Sequence, residues 1–198
     1  MREAWRVTAF DWHGFLQEWN DEILRSRSLA DRHRHFPDDD LATAVASGWL
    51  GYPGATPDDI ARTEARLGTT LPPSYRTFLM TSNGWWHPSD FVPKLWSTHE
   101  IEWLRVRHRP GIDAWREGAE YGGEPLVIPD EEYFVYGEQQ DPTTIRREYL
   151  ETALDISAVE LAGTAMYVLN PRVVAPPGEW EAWFWAHWLP GAVRHRSF

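Results

Sequence analysis

Residues 49–86 read WLGYPGATPDDIARTEARLGTTLPPSYRTFLMTSNGWW, and the order of turn and helix signals in that stretch decides the fold. Gly51, Pro53 and Gly54 make a turn. Thr56 stands as an N-cap, with Pro57 at the first helical position and Asp59 three residues on, a capping-box pattern. The helix predicted from there runs through Ile60, Glu64 and Leu67, and Gly68 ends it as the residue past the last turn. Leu71-Pro72-Pro73 opens a second helix, with Tyr75, Phe78 and Leu79 at i, i+3 and i+4 as its inner face. Asn83-Gly84 closes it, and the product is a tight helical hairpin. Glu64 lies on the apolar side, between Ile60 and Leu67. A carboxylate there is either catalytic with a raised pKa or an acceptor for free backbone amides, and the second role is the commoner. The expectation is a largely buried Glu64 accepting from amides between Leu71 and Tyr75.

Before this hairpin, residues 1–48 read as a helical extension, and 49–198 as the main domain. Phe10, Phe15, Leu16, Trp19, Ile23 and Leu24 recur at helical spacing and predict an amphipathic helix near 11–25. Residues 25–36 are rich in Arg and His and are followed by Pro37 and Asp38, Asp39 and Asp40, and the whole stretch is polar and reads as loop or short helix. After the hairpin the texture turns to strands. Lys94–Ser97, Leu126–Ile128, Tyr133–Tyr136, Ala165–Leu169 and Glu179–Leu189 are strand candidates, with a helix over Thr98–Arg107. Residues 143–153 fit helix or strand. The strand at 179–189 is aromatic on both faces, which predicts an interior position with Trp180, Phe184 and Trp188 packed against helices.

Composition narrows the function. The chain has 198 residues, 42% of them hydrophobic, enough apolar material for a core. With no cysteine, disulfides, thiolate metal sites and cysteine nucleophiles are excluded. The formal charge of −11 makes nucleic acid a poor direct partner and a basic protein a better one. Lys94 is the only lysine among 19 basic residues. No apolar run suits a membrane span or an export signal, so a cytoplasmic location is expected. Thirteen tryptophans serve either a core of large rings or a stacking and anchoring surface, and aromatics mostly serve cores.

Signatures of catalysis are missing: no P-loop, no dinucleotide fingerprint, no nucleophile elbow, no H-E-x-x-H. His33 and His35 with Asp38–Asp40 have residue types that hold metals, but tracts of His and charge are more often solvated loops. Asp130-Glu131-Glu132 are adjacent on one turn and rarely converge on one substrate, so they too read as a solvated acidic loop. No catalytic residue, cofactor or metal is expected.

The hairpin residues Trp49-Leu50-Gly51, Ala55–Ile60, Glu64, Leu67-Gly68, Leu71–Tyr75, Phe78-Leu79 and Asn83-Gly84-Trp85 together resemble the signature of the SUKH superfamily (Smi/Knr-type domains). Tyr167–Pro171 and Gly178–Trp183 resemble its closing strands, so the likeness covers about 49–198. The resemblance implies an α+β fold, with a helical hairpin and further helices packed on a twisted, mainly antiparallel sheet. It also implies a non-catalytic binding domain. Bacterial members are mostly immunity proteins that neutralise polymorphic toxins of nuclease or deaminase type, and others are regulatory scaffolds. A Trp-lined carbohydrate or small-molecule binder is the remaining alternative. For a toxin-binding protein, the candidate contacts are the acidic clusters Asp38, Asp39 and Asp40; Glu117, Glu120 and Glu124; and Asp130, Glu131 and Glu132. Trp85 and Trp86, after the Asn83-Gly84 turn, are the candidate exposed anchors.

Overall fold

The structure is a computed structural model describing residues 10–35, 38–113, 127–159, 165–186, 188–189 and 191–198. The chain divides into two units, one ending at Trp49 and one starting at Leu50. In the first, three helices follow one another: α1 (Trp12–Leu24), α2 (Arg27–His35) and α3 (Asp39–Ser47). Asp11 caps α1 by accepting the Gly14 amide at 3.0 Å. Helix α1 buries Leu16, Asn20 and Ile23, and the Asn20 side chain donates to the Gly48 carbonyl at 3.0 Å. The predicted helix near 11–25 is present, and of the two readings left open for the Arg- and His-rich stretch after it, loop or short helix, the structure has the helix, α2.

The second unit opens with the hairpin of α4 (Pro57–Leu67) and α5 (Pro73–Thr81). The capping box forms as its sequence requires: Asp59 N donates to Thr56 Oγ1 at 3.2 Å, and Thr56 N to Asp59 Oδ2 at 2.9 Å. Hydrogen bonds from Thr56 hold the Asp59 carboxyl below the usual carboxylate range. Gly68 ends α4 at φ 68°, a left-handed conformation suited to glycine. Ile60, Leu67, Tyr75, Phe78 and Leu79 are buried, each contributing roughly 1.5–3 kcal/mol. Helix α5 is capped by Pro72, which has no donor-binding side chain, so distant groups take over. Glu64 Oε1 accepts the Leu71 amide at 2.9 Å, as expected, and lies 3.5 Å from Arg76 Nε. Glu179 Oε1 accepts the Ser74 amide at 3.0 Å, which the sequence did not announce.

Strands β1 (Trp85–Ser89) and β2 (Val92–Leu95) form a two-stranded antiparallel pair. The main sheet comprises β3 (Glu102–Trp103), β4 (Leu154–Asp155), β5 (Ala165–Ala175), β6 (Glu179–Ala186) and β7 (Ala192–His195), in that order and antiparallel throughout. The connection from β3 to β4 includes the short helices α6 (Leu104–Arg107) and α7 (Asp130–Tyr133). One core cluster joins Met166, Val168 and Trp183 of the sheet to Leu104, Tyr133, Ile145 and Leu150. A smaller one gathers Val92, Ala165 and Ala186, with Tyr167 and Phe184 packed on it. The outer edge of β7 is clipped by Gln140, whose side chain donates to the Arg194 carbonyl at 2.8 Å and accepts the Arg194 amide at 2.6 Å. The fold is α+β, as the resemblance implied.

Several local expectations are corrected. Tyr133–Tyr136 is not a strand: Tyr133 ends α7, and both hydroxyls reach one carboxylate, which residues i and i+3 of an alternating strand cannot do. Val127 and Ile128 lie outside any strand, and Val127 is 86% exposed. Thr98–Arg107 is not one helix, because Glu102 and Trp103 pair with β4 before α6 begins. Strand β5 does not stop at Asn170-Pro171. An irregularity between Asn170 and Val174 accommodates the proline, and pairing resumes to Ala175. Strand β6 is interior, paired on both sides, but it ends at Ala186, leaving Trp188 in a turn at 43% exposure instead of packed under helices.

Candidate partner-binding surface

Pro129, fixed in extended geometry, sets up α7, whose single turn is Asp130-Glu131-Glu132-Tyr133. The three acids are exposed, Tyr133 turns inward at 0% exposure, and Val127 and Phe134 stand exposed on either side. The segment is therefore an acidic knob with an apolar residue at each flank, and the predicted acidic loop is in fact a helical turn. Arg146 pins its near side. Its Nη2 donates to the Ile128 carbonyl at 2.8 Å and to Asp130 Oδ1 at 2.5 Å, and its guanidinium lies 4.5 Å from the Tyr133 ring centroid. Asp130 is thus already paired, while Glu131 and Glu132 present their charge outward.

What makes the knob rigid is a buried polar cluster beneath it. Glu181, on β6, is fully buried. Its Oε2 accepts the Tyr133 hydroxyl at 2.6 Å, Trp183 Nε1 at 2.6 Å and Asn170 Nδ2 at 2.9 Å, while Oε1 accepts the Tyr136 hydroxyl at 2.8 Å. Arg194 of β7, also fully buried, places Nη1 3.4 Å from Glu181 Oε1 and donates to the carbonyls of Tyr133 and Val135. Its guanidinium stacks 4.2 Å from the Tyr133 ring. A buried charge is costly unless paired and hydrogen-bonded, and here both charges are. Burial, and then the Glu181 charge, push the hydroxyls of Tyr133 and Tyr136 well above the usual tyrosine range. With its oxygens so occupied, Glu181 is a fastener and not a reagent.

The remaining candidates fall elsewhere. Trp85 and Trp86 are 1% and 7% exposed, so the expectation of open anchor rings is corrected. The reason is that β1 is flanked twice, by β2 and by residues 50–51, where Trp86 N donates to the Leu50 carbonyl at 2.9 Å. Asp38, Asp39 and Asp40 are exposed, but they start α3 rather than lie in a loop. Asp38 is its N-cap, accepting the Leu41 amide at 2.9 Å. Glu117, Glu120 and Glu124 lie outside the described residues, as do the side chains of His33 and His35. Among the described residues, no group of three or more His, Asp or Glu is arranged to hold a metal ion, and no helix is long and apolar enough to cross a membrane.

Sequence reasoning missed Glu181, Arg194 and the buried Asp155, which pairs with Arg107 Nε at 2.9 Å and lies 3.3 Å from His108 Nε2. The signal was available for Glu181: a carboxylate flanked on both sides within the aromatic run WEAWFW has to find partners. The model of the SMI1 / KNR4 family (SUKH-1) matches residues 54–193. No curated protein matches the chain.

Proposed function

The chain belongs to the SMI1 / KNR4 family (SUKH-1), and from that premise we propose that it is an immunity protein that binds and neutralises a polymorphic toxin domain in the cytoplasm, without catalysis of its own. The observation that carries this reading is the acidic knob at 130–132, exposed yet fastened from below by Tyr133, Glu181 and Arg194. A pre-ordered knob binds without the entropy cost of ordering a loop. A formal charge of −11 favours a basic toxin surface and speeds the encounter. Val127 and Phe134 supply exposed apolar contact beside the acids.

The test pairs the protein with candidate toxin domains of nuclease and deaminase type. The expected results are rescue of toxin-expressing cells and an association rate that falls as salt is added. Glu131→Lys with Glu132→Lys is expected to slow association by about tenfold or more while leaving the circular dichroism spectrum unchanged. Capture with unchanged association would move the contact away from the knob. No rescue and no capture would end the immunity reading.

A further inference from the structure

The sole lysine has an unusual setting. Lys94 Nζ lies 5.1 Å from the Tyr52 ring centroid, 5.1 Å from that of Trp86 and 5.5 Å from that of Trp96. It donates to Glu100 Oε1 at 3.0 Å. The rings come from three separate segments: Tyr52 before α4, Trp86 in β1 and Trp96 just after β2. Aromatic faces are negative at their centres, so three of them with a carboxylate form an enclosure for a compact cation. We propose that Tyr52, Trp86, Trp96 and Glu100 are a recognition cage for alkylammonium groups, occupied in the free chain by Lys94 and open to exchange with an ammonium ligand. This site is separate from the acidic knob.

Three observations support exchange over a purely structural lysine. Every other basic side chain of the 19 is arginine, so an ammonium is used where the enclosure demands one. The nearest guanidinium, that of Arg107, lies 5.0 Å from the Trp96 ring, and the carboxylate among the three rings, that of Glu100, is met by the ammonium. The Lys94 side chain is 13% exposed, so part of it reaches solvent. Glu100 stays ionised there: burial raises its pKa, but hydrogen bonds from Ser97 and Lys94 outweigh this and leave it below the usual value.

A single lysine allows a direct reading. The full chain is treated with an amine-reactive ester, and modification at Lys94 is followed by peptide mass spectrometry, apart from the N-terminal amine. Labelling about tenfold slower than that of N-acetyl-lysine methylamide is expected, the factor that cation–π contacts of ordinary strength give. Tetramethylammonium chloride is expected to speed labelling relative to sodium chloride at matched ionic strength. N-acetyl-trimethyllysine methylamide in place of tetramethylammonium distinguishes a peptide-borne ligand from a free one by the lower concentration needed. Lys94→Ala should bind tetramethylammonium saturably, read as tryptophan quenching, and Lys94→Ala with Trp86→Leu should not. Equal labelling in both salts would overturn the proposal even if the variants fail to fold.

Discussion

The Tyr133 hydroxyl lies 2.6 Å from Glu181 Oε2, and neither residue has any solvent-exposed surface. That bond ties the exposed acidic turn to the centre of the main sheet, 48 residues away in sequence.

Glu181→Gln is expected to destabilise the fold by about 3–5 kcal/mol. It strips the charge from a site facing Arg194 and four other donors, and it turns an amide N–H2 toward groups that already donate. Urea unfolding checks this, and an unchanged midpoint would contradict the fastening role.

Tyr133→Phe is a milder cut. The ring keeps its packing and its place under Arg194 and Arg146, and only the charge-assisted bond is lost. A cost of about 1.5–3 kcal/mol is expected in equilibrium unfolding. Amide exchange in residues 129–136 should quicken more than in β6, because the turn is released while the sheet is kept.

Stability is expected to fall in alkali. Burial first, and then the charges of Asp155 and Glu181 respectively, push the Tyr75 and Tyr133 hydroxyls above the ordinary value of 10.0. The folded form therefore keeps protons that the unfolded chain releases. The stabilisation is full below that value and is lost as pH rises past it, with a slope of roughly 1.4 kcal/mol per pH unit for each tyrosine. Unfolding midpoints between about pH 9 and about pH 11 measure it, and Tyr75→Phe with Tyr133→Phe should flatten the slope.

Two carboxylates serve the start of α5, so their removal gives a graded result. Glu64→Ala frees the Leu71 amide and Glu179→Ala frees the Ser74 amide. Each is expected to cost about 1–2 kcal/mol. Near-additive losses in the double variant, by thermal unfolding, would show that the two act on separate donors.

What the sequence made legible was local. The capping box at Thr56 and Asp59, the stop at Gly68 and the Glu64 bond to Leu71 all join residues seven or fewer apart, and each formed as read. The interior place of β6 was legible from its two aromatic faces. The acids at 130–132 were visible as a cluster, but their fastening was not. Glu181, Arg194 and Tyr133 meet only once the sheet registers β6 beside β7 and the connection folds back over them. Tyr133–Tyr136 has strand-like composition, and a shared distant carboxylate overrode it. Trp85 and Trp86 looked like a turn-tip pair because nothing local says that Leu50 and Gly51 return alongside them.

Gly191 backs directly onto the Pro142 carbonyl, and a methyl group there would overlap it. Ala192 N donates to the same carbonyl at 3.0 Å. Gly191→Ala is expected to cost about 1–3 kcal/mol through displacement of β7, read as a lowered melting temperature. Gly111→Ala, in open space within a helical segment, should instead hold or raise the melting temperature.

The Gln140 clip has a consequence for life in a crowded cell. A carboxamide is chemically a peptide group on a tether, and this one answers the amide and carbonyl of Arg194 as a sixth strand would. One strand inward, β6 carries WEAWFW, aromatic and sparsely charged, the kind of sequence that stacks into cross-β ribbons once a partner chain finds an open edge. By imitating one peptide unit, a single glutamine denies incoming chains that foothold. The protein can then carry an aromatic-rich strand at the heart of its sheet without templating fibre growth from that side.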